Sequence, residues 1–166
     1  GIDGHYMTIE GERAVIDLAA EMGYEYSTLD EGWENLADKW TTLREMADYA
    51  AGKGVGLFVW RHWEKLNDPA EDYFQLRSFM DSVADCGVKG LKIDFMNGEG
   101  LHQIRFTTAV LENAARRRLL INFHGCQKPS GEIRTYPNEL TREGVRGMEL
   151  NRITANYLAR MRAAGT

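Results

Sequence analysis

Cysteine is scarce in this sequence: Cys86 and Cys126 form neither a metal-type pair nor a disulfide framework. Basic residues are outnumbered, 20 against 25 acidic, and the net charge of −5 argues against a phosphate-binding surface, so nucleic acid is not an expected partner. No apolar run approaches the roughly 18–20 residues that a membrane span needs, so no membrane partner is expected. The opening Gly1-Ile2-Asp3-Gly4-His5 lacks a basic start and an apolar core, so no signal peptide is expected in this chain. What remains is ordinary. Hydrophobic residues at 43% and charged ones at 27% fit a globular domain, and 166 residues suffice to bury one core.

One pattern recurs about every 30 residues: a helix-period stretch followed by a short apolar run. The expected strands are Tyr24–Asp30, Val55–Trp60, Val88–Phe95, Leu119–His124 and Val145–Leu150. Between them, Val15, Leu18, Ala19 and Met22 predict a first helix face, and Leu43, Met46, Ala47 and Ala50 a second. Asp68-Pro69 reads as the start of a third helix, with Phe74, Phe79, Met80 and Val83 as its apolar face. Phe106, Val110, Leu111 and Ala114 predict a fourth, ending in Arg116-Arg117-Arg118, a positive cluster that suits the helix dipole. Cys126–Thr141 holds two of the three prolines and reads as a long loop. Such βα units build either an open doubly wound sheet or a barrel. A complete (β/α)8 barrel takes about 250 residues, so this chain would be part of one.

Ionisable and aromatic residues gather at the ends of the expected strands: Asp30 and Glu31, Trp60 and His62, Lys92 and Asp94, His124, and Glu149. Barrel active sites form at strand C-termini. Asp94, between Ile93 and Phe95, reads as a nucleophile or base; a helix N-cap or a salt bridge with Lys92 is the blander alternative. Asp94 and Glu149 could supply the two carboxyl groups of glycoside hydrolysis. Glu143 reads equally as an early-helix acid or as functional. His124 is either a buried imidazole or a donor to a substrate hydroxyl. Trp33, Trp60 and Trp63 are either core or sugar-stacking faces. Lys92 could form a Schiff base, but Asp94 two residues away favours its charged form.

Several segments carry a family resemblance: Glu21-Met22-Gly23-Tyr24-Glu25-Tyr26, Asp30-Glu31-Gly32-Trp33, Gly54-Val55-Gly56-Leu57 and Gly87-Val88-Lys89-Gly90-Leu91-Lys92-Ile93-Asp94-Phe95. The strongest are Ile121-Asn122-Phe123-His124-Gly125, Lys128-Pro129-Ser130-Gly131, Arg134-Thr135-Tyr136-Pro137-Asn138 and Thr141-Arg142-Glu143-Gly144-Val145-Arg146-Gly147-Met148-Glu149. Together they resemble glycoside hydrolase family 97. The resemblance implies an α/β fold, a partial (β/α)8 TIM barrel of about five βα units. Residues 1–166 would form part of the catalytic barrel, without the family's flanking β-sandwich and C-terminal β-domain.

Inverting members carry a glutamate after the strand-end histidine, where this chain has Gly125, so it resembles the retaining branch. That implies hydrolysis of terminal α-galactosides by double displacement. Asp94 matches the nucleophile and Glu149 the acid/base. Lys92, His124, Asp30, Trp60 and His62 are expected to bind substrate. Calcium is the expected cofactor, held by Glu143 and Glu149. The expected partners are an α-galactoside and further copies of the chain that complete the barrel, because exposed strand edges favour association. The resemblance also implies a periplasmic or secreted location. The alternatives are an α-glucosidase of the same family, a barrel lyase or aldolase using Lys92, and a fragment that only binds sugar or self-associates.

Overall fold

The computed structural model describes residues 7–145 and 147–148. Helix α1 (Ile9–Glu21) starts at Thr8, whose hydroxyl accepts the Gly11 N–H at 3.1 Å. Strand β1 (Tyr26–Leu29), helix α2 (Lys39–Gly52) and strand β2 (Gly56–His62) follow. Helix α3 (Phe74–Asp85) leads through Gly87, at φ +86°, into strand β3 (Gly90–Asp94). Helix α4 (Leu101–Arg116), strand β4 (Leu120–Phe123) and strand β5 (Glu139–Arg142) complete the order. Short 3-10 turns at Trp33–Asn35 and Trp63–Lys65 sit just after β1 and β2.

All strand pairs are parallel and run β1-β2-β3-β4-β5 in chain order. Alternation then assigns the two faces of the sheet. Leu29, Leu57, Val59, Leu91, Ile93, Ile121 and Phe123 point to the helices, and with Ile16, Met46, Met80, Val83, Phe106 and Val110 form one buried core. The other face carries Tyr26 and Thr28, Phe58 and Trp60, Lys92, and Leu120 and Asn122, most of them half-buried. Gly90 is required there: a Cβ would lie 2.3 Å from the Phe58 ring and 2.6 Å from the Leu120 carbonyl.

Three expectations are corrected. The fifth strand is Glu139–Arg142, inside the stretch expected to be loop. Of the expected Val145–Leu150, the part beyond Met148 and Arg146 lies outside the described residues; Val145, Gly147 and Met148 are not in a strand. Charge hides β5 from hydropathy. Its buried ends, Glu139 and Arg142, satisfy each other at 2.5 and 2.8 Å, with the guanidinium over the Phe123 ring. On α1, Ile16 and Ala19 face the core, whereas Val15, Leu18 and Met22 are 50, 53 and 56% exposed. Asp68 does not cap α3. It accepts the Ala70 N–H in a local turn, and Glu71, Asp72 and Tyr73 then take left-handed φ values that no right-handed helix can include.

Candidate active site

Strand register brings the expected residues to one mouth. His62 is the direct partner of Asp94, and Trp60 is the partner of Lys92, itself opposite Asn122. Side chains two apart share a face, so Trp60, His62, Lys92 and Asp94 all belong to the sheet face away from the helices. Asp30 follows β1, and His124 and Glu143 follow β4 and β5.

Asp94 is the best-held group. It is 5% exposed, and a carboxylate out of water needs donors. Its Oδ1 accepts the Phe95 N–H at 2.6 Å and lies 3.1 Å from His124 Nδ1. Its Oδ2 accepts the Trp60 indole N–H at 3.1 Å, with Lys92 Nζ at 3.9 Å. Lys92 pairs chiefly with Asp30, at 2.8 and 3.2 Å. His124 Nδ1 is also 3.2 Å from Glu143 Oε2, and the same oxygen accepts the Gly125 N–H at 2.9 Å. His124 therefore bridges two carboxylates, and its Nε2 has no partner among the described residues.

Gly125, at φ +55°, matters for what it leaves out. A Cβ there would stand 3.4 Å from Asp94 Oδ1, 3.4 Å from Asn97 Oδ1 and 3.5 Å from the Phe95 nitrogen. A longer side chain at 125 and a carboxylate at 94 would compete for one space.

The tryptophans are not platforms. Trp33, Trp60 and Trp63 are buried, and the Trp33 indole donates to the Trp60 carbonyl at 2.8 Å. Trp60 acts through its indole nitrogen, on Asp94. The exposed aromatic at the mouth is Phe95, 43% exposed and stacked on His62 with centroids 5.3 Å apart. Sequence reasoning missed it because the residue after a strand carries no orientation signal. Beside it a cleft of about 340 Å3 opens, lined by Glu31, Asn35, Trp60, His62, Glu64 and Lys65. Burial pushes the Cys126 thiol up to about 11, which removes it as a nucleophile near neutral pH.

Glu149, the expected acid/base and metal ligand, lies outside the described residues. Calcium prefers six to eight oxygen ligands. Glu143 supplies carboxylate oxygen, but among the described residues no group of three or more metal-ligating side chains forms. These residues alone do not make a calcium site.

The sequence pattern of the family described as Glycoside hydrolase 97 matches residues 3–145. The chain belongs to glycoside hydrolase family 97. A probable retaining α-galactosidase from Streptomyces bingchenggensis is 36% identical over 157 residues, 89% of this chain and 24% of that protein. A retaining α-galactosidase from Bacteroides thetaiotaomicron is 40% identical over 144 residues, 82% of this chain and 21% of that protein. The family 97 chain thus spans less than a quarter of the length of these relatives.

Among solved structures, a β-arabinopyranosidase superposes with a TM-score of 0.75 at 29% identity, over 83% of this chain and 23% of that one. A family 97 enzyme from Pseudoalteromonas sp. strain K8, in complex with acarbose, gives 0.68 at 22% identity, over 87% of this chain and 26% of that one, which shows the shared fold. The five-stranded α/β sheet is accordingly part of a (β/α)8 barrel. No helix among the described residues is long and apolar enough to cross a membrane.

Proposed function

We propose that this family 97 chain carries both carboxyl groups of a retaining α-galactosidase site, Asp94 as nucleophile and Glu149 as acid/base. One observation carries the reading: Asp94 is a buried carboxylate at a strand C-terminus, with both oxygens fixed by donors. Gly125 supports it by leaving the space in front of Asp94 clear. The two retaining α-galactosidases at 36 and 40% identity supply the substrate class.

In this mechanism an Asp94 oxygen attacks the anomeric carbon of the α-galactoside. The bond to the leaving oxygen breaks, and that oxygen takes a proton from Glu149. The β-galactosyl ester on Asp94 is then attacked by water. Glu149 takes the water's proton, and galactose leaves with net retention. Lys92 and His124 donate to substrate hydroxyls, Asp30 holds Lys92 and accepts from a hydroxyl, and His62 lines the leaving-group side. Calcium belongs to the reading as a family expectation, with Glu143 as its described ligand; it would order carboxylate oxygens beside the acid/base. Further copies of the chain are proposed as partners that cover its open sheet, and a periplasmic or secreted location follows from the family.

A second reading is favoured by the likeness to a β-arabinopyranosidase at 29% identity. β-L-Arabinopyranose has the ring stereochemistry of α-D-galactopyranose without the hydroxymethyl group.

The test is hydrolysis of an aryl α-galactoside by the purified chain, with the released anomer read by NMR. Release of the α-anomer first is expected, and Asp94→Asn lowers turnover by about 10³-fold or more. Release of the β-anomer would overturn retention. Faster turnover of the β-L-arabinopyranoside would move the reading to the second enzyme. Added calcium should shift the Gly125 amide signal, which reports on the Glu143 carboxylate; an unmoved signal removes calcium from the reading.

A further inference from the structure

His62 carries its proton at a defined atom. Its Nδ1 accepts the Glu64 N–H at 3.3 Å and so caps the 3-10 turn Trp63–Lys65. A ring nitrogen that accepts a hydrogen bond has no proton of its own, so the neutral imidazole keeps its proton on Nε2. Nε2 has no partner among the described residues, and the ring lines the cleft of about 340 Å3. In strand register His62 stands directly beside Asp94. It therefore offers a hydrogen-bond donor to the cleft next to the proposed nucleophile.

A half-buried imidazole held by one hydrogen bond is otherwise free to turn about χ2. Phe95 removes that freedom. Its ring lies over the imidazole with centroids 5.3 Å apart at 27°, and the Trp60 indole meets the imidazole edge-on at 6.2 Å and 75°. Trp60 and Phe95 also meet each other, at 6.3 Å and 78°, so the stack is braced by the residue whose indole holds Asp94. Phe95 reaches this place against the preferences of its residue type. Its φ of +66° lies in the left-handed region, which a bulky L-residue avoids unless its surroundings compel it. With Asn97 also left-handed, at φ +46°, the chain turns so that Met96 is buried, at 2% exposure, while Phe95 stays 43% exposed. Burial of apolar surface alone would favour the reverse for the larger ring.

Resting on the galactoside reading above, we propose that Phe95 is a positioning residue: its ring clamps the His62 imidazole with Nδ1 against the Glu64 N–H, so that the Nε2–H stands as a fixed donor to an oxygen of the bound glycoside. The left-handed backbone at 95 turns the ring onto His62 and away from the core. Phe95 acts on the substrate through His62.

The experiment reads the two ring nitrogens of His62 in the purified, isotope-labelled chain at about pH 8, where an ordinary imidazole is neutral. Long-range proton–nitrogen NMR should show Nε2 protonated and Nδ1 bare. Phe95→Leu and Phe95→Gly should each bring the two nitrogen signals closer together, as a loosened ring samples both tautomers. The fold persists in the glycine variant, because glycine takes φ +66° without strain. Phe95→Tyr keeps the ring and should retain the wild-type signals. For an aryl α-galactoside, Phe95→Leu should raise KM up to about tenfold, the worth of one hydrogen bond, with kcat held within about twofold. A protonated Nδ1 in the wild-type chain, or nitrogen signals that ignore both substitutions while turnover continues, would overturn the proposal and leave the galactosidase reading standing. Moved signals with an unchanged KM would overturn the donor role. A chain that turns over no galactoside sinks the galactosidase reading, and the nitrogen signals still decide whether Phe95 fixes His62.

Discussion

Asp94 shows how much one carboxylate demands of its neighbours. Three nitrogen atoms face its two oxygens, from Trp60, the Phe95 backbone and His124. Trp60 is the informative one. As a sequence feature it reads as either a core residue or a sugar-stacking face; its ring is buried, and its indole nitrogen is what reaches the site. It is a positioning residue. Trp60→Phe keeps most of the ring volume and removes that donor from a buried anionic group. The expected loss of stability is about 1.5–3 kcal/mol, read by urea denaturation. In an Asp94→Asn background the same substitution should cost clearly less, because the charged acceptor is gone. Equal losses in both backgrounds would mean that ring packing, and not the hydrogen bond, sets the cost.

Helices α3 and α4 are joined at the surface by Arg117, which grips Asp81 through two contacts at 2.5 and 3.0 Å. The hydrogen bond to Arg117 holds the Asp81 carboxyl below its ordinary value. A carboxyl lowered in the folded chain adds stability above its unfolded pKa and loses it as pH falls through the folded value. Asp81→Asn should therefore destabilise at pH 7 and have no effect in strong acid. Asp81 is well exposed, so solvent screening limits the cost to about 0.5 kcal/mol. Chemical denaturation at the two pH values checks it; an equal cost at both would assign the effect to packing.

These elements were legible in sequence to the degree that burial followed hydropathy. Helices α2 and α4 and strands β2 to β4 bury the residues their periodicity marks. Strand β5 buries an ion pair, and α1 turns Leu18 and Met22 outward, so neither followed the rule. The site was legible for a related reason. Period-2 alternation puts Lys92 and Asp94 on one strand face, whereas the register that sets Trp60 and His62 opposite them is a finding of the structure. Phe95 was not legible, since nothing in its neighbours' identities announces a left-handed phenylalanine.

Among the described residues the sheet is open where a finished barrel would be closed. In a complete (β/α)8 barrel the inner strand face is filled by layers of side chains. Here Tyr26, Thr28, Lys92, Leu120 and Asn122 on that face remain half-buried. Among the described residues, β1 and β5 each pair on one side only. Next to the β1 edge, Leu18 and Met22 leave an apolar strip on α1, and Tyr24 extends it at 57% exposure. An unpaired edge beside an apolar strip is a template for association. The purified chain should therefore sediment with a weight that rises with concentration. Leu18→Glu with Met22→Glu should hold it at the monomer mass, because both side chains already face water and their loss leaves the core intact. A wild-type chain that stays monomeric throughout would show that the half-buried inner face tolerates solvent. The proposed role of partner copies in covering the mouth around Asp94 would then fall.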